Sequence, residues 1–256
     1  MVGRGWLLLL QEWEADGRIW GRFAAGLAAR FEVRAVDGPA AVMGRAYRHA
    51  LGEVVRRSMV GRPAARLAVG HGVAGCTAVD MAAEGLAEAV LVVSPGTGEL
   101  LPDQAEELLT SSELWARVGP LLRYGAAMAR GELAEAQLRE MVEALTADLP
   151  GRLDPAEIDL VREVLHDRLP QCAACPTDVD DGLRPWLEVA ADLGDRLTLV
   201  VHGAQRESEA AALAGRLPAA RVLQLATATA YPWLEDTPAV LAAVEAALGP
   251  APASDG

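Results

Sequence analysis

The chain has 256 residues, 52% of them hydrophobic, and a formal net charge of −13 from 36 acidic and 23 basic residues. This length and composition can bury one large core or two modest ones. The acidity argues against nucleic acid and anionic membrane surfaces as partners, because both need clustered cationic side chains.

Residues 6–10, "WLLLL", read as a short strand buried on both faces. Only four leucines run together before acidic residues begin, too few for a signal peptide or a transmembrane helix. The next stretch, Gln11-Glu12-Trp13-Glu14-Ala15-Asp16, is an acidic loop. "RIWGRFAAGLAAR" (18–30) has helical periodicity and "FEVRAV" (31–36) reads as a strand ending in Asp37-Gly38-Pro39. "ARLAVG" (65–70) and "AVLVVS" (89–94) are further strands. Between them "LAVGHGVAG" (67–75) climbs to a glycine turn and hands over to a helix.

From Gly98 to about Asp181 the pattern is helical throughout, and Asp154-Pro155-Ala156-Glu157 reads as an N-cap followed by proline and an acidic first turn. Strands resume at "RLTLVVHG" (196–203) and "ARVLQLA" (220–226), with a helical "ESEAAALAGRL" between them. Strands alternating with helices predict an α/β fold, a mostly parallel, doubly wound sheet with its ligand site at the carboxyl ends of the strands. The expected division is a core of residues 1–97 and 182–248, a helical cap over 98–181, and a disordered tail, 249–256. Cys76, Cys172 and Cys175 are too few, and odd in number, for a disulfide framework, which suits a reducing cytoplasm.

These segments resemble the α/β-hydrolase fold. "LAVGHGVAG" is similar to that family's nucleophile elbow, Gly-x-Ser-x-Gly. "LTLVVHGAQ" resembles the strand leading to the triad acid, and "ATATAYPWLEDTPAVLAAVEAAL" the catalytic-histidine loop and last helix. Position by position the resemblance implies a stripped triad. Gly72 stands at the nucleophile's place, Gln205 or Arg206 at the acid's and Ala230 at the histidine's, while Gln11-Glu12 replaces the His-Gly pair that shapes the oxyanion hole. Acyl transfer needs all of these groups, so the chain is not expected to be a Ser-His-Asp hydrolase, and serine-type hydrolysis is excluded.

The remaining candidates carry mostly structural readings. His71 and His202 occupy family-typical positions without an implied catalytic role, and His49 and His166 lie on helical segments. Cys172-Ala-Ala-Cys175 lacks matching zinc ligands, and Asp178, Asp180 and Asp181 read as a solvated loop. Glu12, Glu14 and Asp16 border the expected pocket, either as a hydrophilic loop or as a general base or cation anchor.

The expected pocket is apolar and takes a peptide or small-molecule substrate, with Gln11, Glu12, Trp13, Gly72, Val73, Ala230 and Tyr231 around it. Neither a cofactor nor a metal is expected. In such a cavity a substrate carboxylate becomes more basic and can remove a nearby acidic C–H proton itself. The pattern of loss resembles the triad-lacking α/β-hydrolase-fold proteins of bacterial modified-peptide pathways, of which the bottromycin aspartate epimerase is the known example. That resemblance implies epimerisation of a peptide aspartate, its own carboxylate acting as base, in ribosomal peptide natural-product biosynthesis. The alternative is a ligand- or peptide-binding protein that kept the cleft and lost the reaction.

Overall fold

The computed structural model describes residues 5–39, 44–95, 119–120, 123–128, 130–171, 185–203 and 206–249. Gln205, the Cys172/Cys175 pair, the Asp178–Asp181 cluster and the tail from residue 250 lie outside the described residues.

All six expected strands form: β1 (Trp6–Leu10), β2 (Glu32–Val36), β3 (Leu67–His71), β4 (Val90–Val93), β5 (Leu197–Val201) and β6 (Arg221–Gln224). They make one sheet in the order β2-β1-β3-β4-β5-β6, and every neighbouring pair is parallel. The continuous apolar runs have the cause expected of them, since β1, β3, β4 and β5 are buried along their whole length. Alternation sorts their side chains to the two faces. Leu7, Leu9, Val69 and Val93 pack with Trp20, Phe23 and Trp233, whereas Leu8, Leu10, Ala68 and Val92 pack with Tyr47, Leu51 and Val55.

Helices cover both faces: α1 (Gly21–Ala28), α2 (Gly44–Met59), α3 (Val73–Ala83), α4 (Glu135–Leu145), α5 (Pro155–Arg168), α6 (Trp186–Leu193), α7 (Arg206–Arg216), the single turn α8 (Pro232–Glu235) and α9 (Thr237–Leu248). On one face Trp20 stacks on Trp233 with ring centres 4.2 Å apart, and the Trp233 indole N–H donates to the Ile19 carbonyl at 2.9 Å. On the other, the buried guanidinium of Arg48 on α2 makes a two-pronged pair with Asp80 on α3, at 2.6 and 2.8 Å.

α4 and α5 lie in the segment expected to be the cap. Their inner residues Leu138, Met141, Val161 and Leu165 belong to the same apolar cluster as Leu7 and Trp20, so this layer is continuous with the core. Arg18 reaches Glu163 and Asp167 on α5 at 2.9 and 2.8 Å, and Arg22 reaches Glu157 at 2.7 Å. Exposed pairs of this kind contribute about 0–1 kcal/mol each. As its sequence suggests, α5 begins with Pro155, and the Asp154 amide donates to the Glu157 side chain at 3.4 Å.

Candidate active site

Strand order reverses between β1 and β3, the place where an open parallel sheet leaves a crevice at its carboxyl edge. β1 ends at Leu10 and delivers Gln11, Glu12 and Glu14 there. β3 ends in His71 and Gly72, β4 is followed by Ser94, and β5 by His202. A cavity of about 330 Å³ opens among them, lined by Glu12, Glu14, His71, Ser94, Pro95, His202, Glu209 and Ala230. Each central strand ends in a polar or charged side chain, and three carboxylates and two imidazoles line the space beside apolar surface. A larger groove of about 480 Å³ is lined wholly by α4 and α5, including Arg139, Arg162 and His166, and receives nothing from a strand end.

Gly72 adopts φ +54° and ψ −129°, the strained left-handed backbone of a nucleophile elbow, at the start of α3. The helix packs tightly because Gly70 and Gly75 lack side chains: a Cβ on Gly70 would lie 2.5 Å from the Gly75 Cα, and one on Gly75 would lie 2.3 Å from Val92. The elbow motif is therefore closed by Gly75, one position after Ala74.

What fills the place of the missing nucleophile is the central feature of the site. A Cβ built on Gly72 would lie 2.0 Å from Glu12 Oε2 and 2.5 Å from its Cδ. The Glu12 carboxylate occupies the volume above the apex, and it accepts a hydrogen bond from the Val73 backbone N–H. In a working elbow that N–H, on the residue after the nucleophile, faces the oxyanion. Burial raises the Glu12 pKa from 4.5 to about 7, against the lowering pull of that hydrogen bond. Glu14 is raised well above the usual carboxylate range by burial and then by the neighbouring Glu12 charge. Two carboxyl groups so placed hold a proton between them at neutral pH.

The neighbours fix this arrangement. The Tyr47 hydroxyl donates to the Gln11 carbonyl at 2.5 Å, Arg168 donates to the Gly38 carbonyl at 3.0 Å, and its charge lowers Glu14. Asp16 turns away to cap the following turn and pair with Arg18. The buried Gln11 amide lies 3.1 Å from His71 Nδ1, and the His71 ring also hydrogen-bonds the Ala230 backbone. Accepting from the Gln11 amide at Nδ1 is one tautomer's role, and the bond to the Ala230 carbonyl favours a protonated ring nitrogen. Burial, with the nearby His202, pushes the His71 pKa down to about 3, so its ring is neutral. Glu12, Glu14 and His71 bring three donor atoms within 4.8 Å of one another and could in principle hold a cation. Nδ1 is also within hydrogen-bond reach of the Gln11 amide, and the two carboxyls compete for protons.

Of the other residues expected at the pocket, Ala230 lines it, Trp13 is half-buried between the two apolar clusters, and Tyr231 is buried with its ring 6.0 Å from that of His71. The loop bearing Ala230 is held by Glu235. Burial pushes this carboxyl up, but hydrogen bonds from the Thr229 and Ala228 amides outweigh burial and hold it below its ordinary value. His49 is exposed on α2, and His166 is exposed on α5 and paired with Glu135 at 3.3 Å.

Sequence reasoning missed one pair. The Ser94 hydroxyl is hydrogen-bonded to His202 Nε2, and both line the cavity. His202 therefore has a hydrogen-bonding partner at the site. Ser94 is also the only non-glycine with positive φ, +55°, among the described residues. Such a conformation costs about 1–3 kcal/mol and is held in place by its surroundings. A serine after an apolar strand carries no sequence signal of this, because its partner lies 108 positions away.

No protein-family model matches the chain, and no curated protein matches it. Solved structures do. An enzyme that recognises and cleaves the ring of the Pseudomonas quinolone signal, in complex with its product, is 14% identical over 97% of this chain and 94% of its own, with a TM-score of 0.66. A thermophilic esterase from Thermogutta terrifontis is 17% identical over 94% and 89%, TM-score 0.63. An N-formylmaleamic acid deformylase from Pseudomonas putida S16 is 15% identical over 95% and 93%, TM-score 0.57. At these identities the likeness carries the fold: this chain has the α/β-hydrolase fold. No helix among the described residues is long and apolar enough to cross a membrane.

Proposed function

We propose that this chain is an isomerase or epimerase that moves a proton at an acidic C–H, with Glu12 as the general base. The observation that supports this reading is the Glu12 carboxylate above Gly72, with its pKa raised to about 7. A base is most effective when its pKa lies near the working pH. Neither Gly72 nor Ala230 carries a side chain that could attack a carbonyl or relay a proton, so the triad positions supply no acyl transfer. Proton abstraction needs only a positioned base and a site shielded from water.

The reaction we assign is epimerisation of a residue in a small peptide, as the triad-lacking modified-peptide enzymes would suggest. The geometry favours a protein base over the substrate's own carboxylate. The space above the apex already holds two carboxyls, and a third anion would be repelled once either has ionised. The expected outcome is deuterium incorporation at a substrate Cα in heavy water, followed by NMR. The rate should rise with pH through about 7 as Glu12 loses its proton, and should fall about 10²–10⁴-fold in Glu12→Gln. Exchange that survives Glu12→Gln would return the base to the substrate. Saturable binding of candidate peptides with no exchange above background would make the protein a binder.

A further inference from the structure

The geometry points to a second reactive centre in the same cavity: we propose that Ser94 is a nucleophile activated by His202, able to take the acyl group of a small ester or an electrophilic phosphonate. This goes beyond the proton-transfer reading and stands without it, since it uses neither Glu12 nor the elbow.

Three features carry it. The Ser94 hydroxyl is hydrogen-bonded to His202 Nε2, and in the tautomer protonated at Nδ1 this is the relation a serine needs to lose its proton as it attacks. Both side chains line the cavity and can be reached by a ligand there. Ser94 is held at φ +55°, a backbone state non-glycine residues rarely adopt and one that concentrates at functional positions. The Ser94 amide donates to the Val200 carbonyl at 3.0 Å, which fixes the residue to β5. Burial lowers the His202 pKa, against the opposing charge of Glu235, so the ring is neutral and able to accept a proton.

With a fluorophosphonate, Ser94 Oγ bonds to phosphorus, the P–F bond breaks, fluoride leaves, and the hydroxyl proton passes to His202 Nε2. With an ester, Oγ bonds to the carbonyl carbon and the alkoxide departs with that proton, leaving an acyl-serine that water must hydrolyse.

The test is intact-mass spectrometry and peptide mapping of the full chain after incubation with a fluorophosphonate probe and, separately, p-nitrophenyl acetate. One adduct per chain on Ser94 is expected, lost in Ser94→Gly and slowed about a hundredfold in His202→Gln. Ser94→Gly suits the positive φ, so it removes the hydroxyl without disturbing the backbone, and thermal melts confirm that each variant is folded. Absence of an adduct on the folded protein overturns the proposal, as does an adduct that persists in Ser94→Gly or forms equally fast in His202→Gln. Glu12→Gln should keep the labelling while losing Cα exchange, so the two readings fail separately.

Discussion

Replacing Glu12 by glutamine should stabilise the protein, and only where the carboxyl would otherwise be ionised in the unfolded chain. Burial holds the folded pKa near 7 against 4.5 for the free side chain. Between those values the unfolded chain releases a proton that the folded protein keeps, so the unfolded state binds fewer protons and stability falls as pH rises. At about 1.4 kcal/mol per pH unit the loss amounts to roughly 3 kcal/mol, complete above pH 7 and absent below about pH 4.5. The Glu12 side chain is 22% exposed, so solvent screening trims this figure only moderately. Glutamine keeps the shape and still accepts from the Val73 amide, yet has no charge to bury. Thermal melts of both proteins from pH 4 to pH 8.5 should therefore coincide at the acid end. At the alkaline end they should separate by roughly 6–12 °C, with the variant higher, for a chain of this size. A gap of the same size at both ends, or a variant that melts lower at pH 8, would refute the reasoning by showing that Glu12 carries no raised proton affinity.

Three further outcomes follow from the same geometry. Gly72→Ala should cost about 1–2 kcal/mol from the left-handed backbone alone, plus the displacement of Glu12 from the apex. In urea melts Glu12→Ala should relieve the second part and leave the first, giving a non-zero coupling in the double-mutant cycle. Arg48→Met should cost about 3–5 kcal/mol by leaving the Asp80 carboxylate without its buried partner, read by denaturant titration at pH 7. Dialysis against a chelator should leave Cα exchange unchanged. Loss restored by a divalent ion would instead make Glu12, Glu14 and His71 a metal centre.

The sheet was legible because its signal is local. "WLLLL" and "LTLVV" are buried on both faces, and a strand buried that way must be apolar at every position. The elbow was legible for a similar reason, since a left-handed apex before a helix calls for glycine or a strained residue. That Gly72 and Ala230 carry no reactive side chain is plain from the sequence itself. What could not be read was which side chains would enter the vacated space. Glu12 was expected at the pocket, as a loop residue or a general base, but not above the apex: the loop after β1 folds its carboxylate onto a glycine 60 positions further on, and only the missing Cβ admits it. The full polar lining escaped for the same reason. It gathers Glu12 and Glu14 from the loop after β1, His71, Ser94 and His202 from the ends of β3, β4 and β5, and Glu209 from α7, each unremarkable in its own stretch of sequence.

The location of strain gives this arrangement its physical sense. In a working elbow the strained residue is the nucleophile, held at positive φ by the turn. Here the apex is Gly72, which adopts φ +54° without a steric penalty, so the turn persists although nothing is displayed on it. The penalty reappears one strand over, at Ser94, which has a side chain, a positive φ and an imidazole against its hydroxyl. A conformation unfavourable by 1–3 kcal/mol is not expected at an idle position when glycine would relieve it. Ser94→Gly should accordingly raise stability by about 1 kcal/mol or more while removing the labelled hydroxyl. A Ser94→Gly protein no more stable than its parent would mean that the His202 contact, and not the surrounding backbone, already offsets the strain.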